Sequence, residues 1–250
     1  MIIIKSDEEI SKIDKASKIV AETLVRLGEI IAPGITTRDI ELRAEAIIKS
    51  NKAVSAFKGY RGYPANLCIS VNNEVIHGIP SKKRVLKDGD IVSLDVGVVY
   101  DGYIGDGAWT YPVGKVSKEI MKLLAVTKES LYKGIEKARA NNRVSDISHS
   151  IQVHVEGNGY SVVRAFVGHG VGRSLHEEPQ IPNYGLPNKG PRLKKGMVLA
   201  IEPMVNAGGF EVAVLSDGWT AVTADGSLSA HFEHTVVVTD DEAGILTQLN

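Results

Sequence analysis

A chain of 250 residues, 43% hydrophobic and 24% charged, can bury a substantial core and is too ordinary in composition to be disordered, collagen-like or a coiled coil. Lys plus Arg total 29 and Asp plus Glu total 30, so the formal charge of −1 supplies no global field toward DNA or an anionic membrane. The single cysteine, Cys68, excludes an intrachain disulfide and a Cys-rich zinc site and fits a reducing compartment.

At the start of the chain only Ile2, Ile3 and Ile4 precede the charged segment from Lys5 to Glu9. That is too short for a signal-peptide core, and no later run approaches a membrane span, so a cytoplasmic protein without membrane partners is expected. Ile10, Ile13, Ala16, Val20, Leu24 and Leu27 recur at helical spacing and stop near Gly28, Pro33 and Gly34. Thr36 or Thr37 can cap a second helix through Ile40, Ala44, Ile47 and Ile48. From 65 to 111 the chain turns to β-branched residues and glycine, as strands and turns require. Helical spacing returns over 118–140 and 145–156. Strands are predicted again at 162–167, 197–205, 210–215, 219–223 and 231–238.

The order helix, helix, strands therefore occurs twice. Residues Lys87 to Asp95 align without a gap on Lys194 to Glu202: a Lys-X-Gly turn, an apolar strand, and a carboxylate six residues after the glycine. Either the match is chance over nine positions, or two similar halves, about 1–114 and 115–250, face each other. No Pro/Gly/Ser-rich linker separates them, so one domain of 1–250 with a shared α+β core is expected.

Asp95 lies in an apolar strand, and Asp106 follows the pair Asp101-Gly102, which favours a two-residue hairpin loop. Such a loop pairs Tyr100 with Tyr103, Gly97 with Asp106 and Asp95 with Ala108, so the two carboxylates become diagonal neighbours on one face. Glu202 and Glu233 also read as members of apolar strands. Singly, each of the four could face solvent; gathered in one interior they would repel and need cations. His169, with Gly168, Gly170 and Gly172 removing bulk around it, could add an imidazole. Four carboxylates exceed the need of one divalent ion. An oxygen-rich set with one nitrogen suits two ions of Mn(II), Fe(II), Co(II) or Zn(II), which can present a bridging hydroxide for hydrolysis.

At these residues the sequence resembles type I methionine aminopeptidases, of the pita-bread (creatinase/aminopeptidase) fold. The likeness runs from the segment PGITTRDI to HFEHTVVV. It is carried by SVNNEVIHGIP, KDGDIVSLDVG, DGYIGDGAWTY, VGHGVGRSLHEEPQIPNYG, GMVLAIEPM and DGWTAVTADGSLSAHFEHT. The resemblance implies two pseudo-symmetric halves and a central curved antiparallel β-sheet covered by helices. It implies metal ligands at Asp95, Asp106, His169, Glu202 and Glu233, and a catalytic trio of His77, His176 and Glu202, the two histidines also touching substrate. A methionine pocket would be formed by Tyr60, Tyr63, Cys68 and Trp219 with Leu175 nearby, and a monovalent cation would sit near Asn72 and Ser229.

The expected activity is metal-dependent removal of the initiator methionine from nascent polypeptides, with small second residues preferred. The alternatives are an X-Pro aminopeptidase or dipeptidase of the same fold and a non-catalytic binding homologue. The chain departs from the family's usual pattern at Asn141-Asn142, where a Pro-Gly pair is common, and at Leu175, where a bulkier aromatic is common and whose small size would widen the pocket. A monomer is expected. His149 and His154 read as structural, and Lys82-Lys83-Arg84 and Arg192 to Lys195 as solvated loops, with weak contact to ribosomal RNA as the sharper alternative.

Overall fold

The computed structural model describes residues 1–249. Its first helix, α1 (Asp7–Gly28), starts where Ser6 accepts the Glu9 amide and the Glu9 carboxylate accepts the Ser6 amide, while Asp7, Glu8 and Glu9 face the positive end of the helix dipole. The cap of α2 (Thr37–Ser50) is Thr36, paired in the same way with Asp39. Five strands follow: β1 (Val54–Ser55), β2 (Cys68–Val71), β3 (Glu74–Ile76), β4 (Ile91–Tyr100) and β5 (Tyr103–Pro112). Then come α3 (Lys118–Ile135), α4 (Val144–Gly157), β6 (Ser161–Val162), β7 (Gly168–Gly170), β8 (Glu177–Ile181), β9 (Val198–Ile201) and β10 (Met204–Asn206). The chain continues through β11 (Val212–Val214), β12 (Ala221–Thr223), β13 (Ser229–His231), β14 (His234–Val237) and β15 (Gly244–Ile245). No helix among the described residues is long and apolar enough to cross a membrane.

All strand pairings within the sheets are antiparallel, and their register builds the site. The β4–β5 hairpin pairs Tyr100 with Tyr103, Gly97 with Asp106 and Asp95 with Ala108, as the two-residue Asp101-Gly102 loop requires; both loop residues have positive φ, 49° and 76°. In the second half, β15, β14, β9, β7 and β8 lie side by side. β4 and β9 each begin two residues after the glycine of the repeated Lys-X-Gly turn.

The two strand systems meet where β5 runs along residues 231–235. Ala108 and Glu233 exchange backbone hydrogen bonds, Glu233 N–H to Ala108 O at 2.9 Å. On either side a threonine hydroxyl replaces the ladder. Thr235 Oγ1 accepts from the Asp106 amide at 3.2 Å and donates to the Asp106 carbonyl at 2.7 Å; Thr110 Oγ1 does the same for His231, at 2.9 and 2.7 Å. Helices cover both halves: Leu24, Leu27, Ile40 and Ile47 pack on Ile69, Leu94 and Val96, and Leu123, Leu131, Ile147 and Ile151 pack on Leu199, Ile201 and Val236. This is the pita-bread arrangement.

Several predicted strands are shorter than their apolar spacing implies. The stretch 197–205 breaks after Ile201 and 231–238 breaks after His231, because the chain there leaves one sheet for another and Pro203 has no N–H to continue a ladder. Glu202 and Glu233 thus stand at strand exits rather than inside strands. The 162–167 strand reduces to Ser161–Val162, freeing Ala165 to Val167 to line a cavity. The α3 helix stops at Ile135, well before Asn141, which takes a left-handed φ of 74° in the following turn.

Candidate active site

Following the register across the sheet puts the candidate ligands on two neighbouring rows of one face. Gly97, Asp106, Thr235, Ala200 and His169 form one row across β4, β5, β14, β9 and β7. Two residues along, Asp95, Ala108 and Glu233 form the next, and Glu202 lies one step past the end of β9 on the same side. The positions between the ligands are glycine, alanine or a threonine turned to the backbone, which leaves room for the acids to converge. His169 comes so close to its neighbours that a Cβ on Gly168 would lie 2.4 Å from the Ala200 carbonyl oxygen, and one on Gly170 2.3 Å from that of Glu178.

Asp106 is 4% exposed, Glu233 3%, His169 7% and Glu202 9%. His169 Nε2 lies 3.4 Å from Glu202 Oε1 and 3.9 Å from Asp106 Oδ2, and Asp106, His169 and Glu233 can each offer one atom within 4.8 Å of the others. His169 Nδ1 donates to the Gly170 carbonyl at 2.9 Å, which leaves Nε2 as the bare nitrogen facing the carboxylates. Burial lowers the His169 pKa to about 4, keeping it neutral. Desolvation pushes Asp95 up to about 7, and desolvation followed by mutual repulsion drives Asp106, Glu202 and Glu233 well above the carboxylate range. Asp95 Oδ1, Asp106 Oδ1 and Glu233 Oε1 are buried without any hydrogen-bond partner. Unpaired buried carboxylate oxygens around one neutral imidazole nitrogen are the donor set that divalent cations fit.

These groups floor a cavity of about 290 Å³. The candidate catalytic, metal and methionine-pocket residues read from the sequence all line it: the four acids and the imidazole above, His77 and His176, and Tyr60, Tyr63, Cys68, Leu175 and Trp219. His77 holds a left-handed φ of 61°, with its ring edge-on to Phe166 and Trp219. His176 sits against His169, ring centroids 4.4 Å apart, and its Nδ1 is 2.7 Å from the Tyr60 hydroxyl. Desolvation lowers His77 to about 4 and also lowers His176, so both rings are neutral near pH 7. Tyr63 meets Trp219 edge-on at 5.1 Å. Cys68 is buried in the wall, and desolvation raises its thiol well above the ordinary range, which makes it an inert wall group.

Other residues fall outside the cavity. The Ser229 amide donates to the Asn72 carbonyl at 2.9 Å, bringing those two together apart from the carboxylates. His231 Nε2 approaches Glu202 Oε2 to 3.8 Å from beneath, while His234 packs against Trp109 and Tyr132. His149 bonds the Gly185 carbonyl and His154 faces Glu129; neither reaches the site. Sequence reasoning missed Phe57, Arg61, Ile76 and Phe166 on the cavity wall. For Arg61 the signal was available in the alternation Gly59-Tyr60-Arg61-Gly62-Tyr63, where two glycines mark a sharp turn between two pocket tyrosines.

The profile of the family described as Metallopeptidase family M24 matches residues 11–240. The methionine aminopeptidase of Clostridium acetobutylicum is 56% identical over 247 residues, covering 99% of each chain. The crystal structure of methionine aminopeptidase from Thermotoga maritima is 52% identical and superposes with a TM-score of 0.98 over 100% of both chains. Prolidase from Pyrococcus furiosus shares the fold at 26% identity and a TM-score of 0.80, covering 99% of this chain and 66% of that one.

Proposed function

The chain belongs to metallopeptidase family M24, and from that premise we propose that it acts as a methionine aminopeptidase, removing the initiator methionine from new polypeptides. The observation that carries this reading is one cavity whose floor is a set of unpaired buried ligand atoms and whose walls combine apolar and aromatic side chains with two histidines. Asp95, Asp106, His169, Glu202 and Glu233 would hold two divalent ions, drawn from cobalt, manganese, iron and zinc. Bound there, the ions would supply a hydroxide nucleophile near neutral pH and polarise the carbonyl of the first peptide bond.

Glu202, at the inner end of the cavity, is the group we assign to accept the nucleophile's proton and pass it on. If the Tyr60 hydroxyl donates to His176 Nδ1, then Nε2–H of that ring is left as a donor for the carbonyl oxygen. His77 is assigned to the departing nitrogen. The walls formed by Tyr63, Cys68, Leu175 and Trp219 suit the flexible, polarizable methionine side chain and disfavour a charged one. A preference for small second residues, a monomeric cytoplasmic protein, a monovalent cation beside Asn72 and Ser229, and weak ribosome contact through Lys82 to Arg84 or Arg192 to Lys195 complete the proposal.

The test is methionine release from Met-Ala and Met-Pro peptides after each metal is added to metal-free protein. Release from Met-Ala is expected. Asp106→Asn or Glu233→Gln should abolish it while circular dichroism stays native. No release with any metal, or near-full activity in either variant, would overturn the assignment.

A further inference from the structure

Resting on the aminopeptidase reading of the cavity, we propose that Arg61 selects substrates that carry a carboxylate a few residues beyond the bond that is cut. Arg61 is the one lysine or arginine on the cavity wall, and it is exposed to solvent, whereas Asp106, Glu202 and Glu233 are buried. Among the described residues no acidic side chain forms an ion pair with it. Its backbone is held in place: the Gly59 amide donates to the Tyr63 carbonyl at 2.8 Å, the Tyr63 amide donates to that of Tyr60 at 2.9 Å, and Arg61 itself takes a left-handed φ of 48°. A non-glycine residue in that region is strained, and such strain persists where the surroundings enforce a particular side-chain direction.

The guanidinium lies over the Tyr60 ring, 5.4 Å from its centroid. Stacking of this kind restrains an otherwise mobile side chain and leaves the guanidinium edge free for a bidentate carboxylate contact. Tyr60 is in turn 5.3 Å, centroid to centroid, from His176, and His176 is 4.4 Å from His169. Arg61 is therefore within about 15 Å of the ligand imidazole, and an extended peptide advances roughly 3.3–3.6 Å per residue. That span, with the second residue kept small, suits a carboxylate on the third or fourth residue of the substrate. Either an acidic side chain or the terminal carboxylate of a short peptide supplies it.

The experiment uses metal-loaded protein and C-terminally amidated peptides Met-Ala-Xaa-Ser with Xaa as Glu, Gln or Lys, at low and high salt. At low salt kcat/KM should fall from Glu to Lys by roughly tenfold, and the spread should shrink as salt screens it. Arg61→Gln should level the series, and Arg61→Glu should invert it, an inversion that a merely structural role would not produce. Comparing Met-Ala-Gln as free acid and as amide tests whether a terminal carboxylate serves as well. Absence of the ranking in the wild-type protein, or its survival in Arg61→Glu, would overturn the proposal. If the wild-type protein cleaves none of the peptides, the aminopeptidase reading itself fails and takes this inference with it.

Discussion

Stripping divalent metal should leave a folded protein whose stability falls as the pH rises from 7.5 to 8.5. Asp106, Glu202 and Glu233 are buried together beside Asp95, and desolvation, then mutual repulsion, raises all three well above the carboxylate range, while Asp95, pushed by desolvation to about 7, is largely ionised across this window. In the unfolded chain all four are ionised well below pH 7. The folded state therefore binds more protons than the unfolded one, and raising the pH favours unfolding. Each proton of difference corresponds to a slope of about 1.4 kcal/mol per pH unit.

Buried histidines act in the opposite sense. His77, His169 and His234 are lowered to about 4 and His231 to about 3, so unfolding takes up protons below roughly pH 6.5, and stability from this source rises with pH until it is nearly complete at 7.5. Cys68, raised by burial, adds to the fall only near the upper end of the window. Both contributions are common to wild-type protein and Asp106→Asn and cancel in their comparison.

Urea denaturation in chelator should show the wild-type protein losing stability across this pH unit, by about 1.4 kcal/mol for each proton the folded acids still retain. Asp106→Asn, with one fewer acid to protonate, should lose less and be the more stable of the two at pH 8.5. Saturating metal should remove the slope, because ions replace the protons. Stability that is flat or rising without metal, or the same slope in both proteins, would refute the reasoning.

Lys5 and Glu177 form a buried ion pair at 2.5 Å, with side chains 4% and 8% exposed, and Glu177 also accepts the amides of Arg173 and Ser174 in the turn carrying Leu175 and His176. Lys5→Met should cost about 3 kcal/mol in denaturant titration, much of it recovered by adding Glu177→Gln; a loss below about 1 kcal/mol would mean the pair does not anchor that turn. Gly168→Ala, forced against the Ala200 carbonyl, should displace His169 and weaken metal binding measured by calorimetry, and unchanged affinity would show that β7 can shift without cost. Cys68 should resist iodoacetamide at pH 8 in the folded protein and react in urea; rapid labelling of the native state would contradict its burial.

Much of the site was legible because its determinants are local. The Asp101-Gly102 turn accepts positive φ at both positions, and a two-residue loop sets the register of the whole hairpin, so Asp95 and Asp106 had to share a face. The small residues around His169 announced a close approach before any partner strand was known. The apolar spacing of α1 and its Ser6–Glu9 cap likewise depend only on neighbours in the chain.

Composition, periodicity, turn chemistry and the quoted motifs thus determined by themselves where the four helices and the β4–β5 hairpin form, which carboxylates and imidazole are candidates for a metal, and which family the chain resembles. Only the tertiary structure decided that Glu202 and Glu233 stand at strand exits, that Thr110 and Thr235 stitch β5 to the other half through their hydroxyls, and that Arg61 and Phe166 reach the same cavity. Periodicity records which side of an element faces apolar surroundings, and it continues unbroken through a residue where the chain passes from one sheet to another. The threonine hydroxyl that completes the ladder between β5 and residues 231–235 belongs to a strand more than a hundred residues away and enters only when the halves pack.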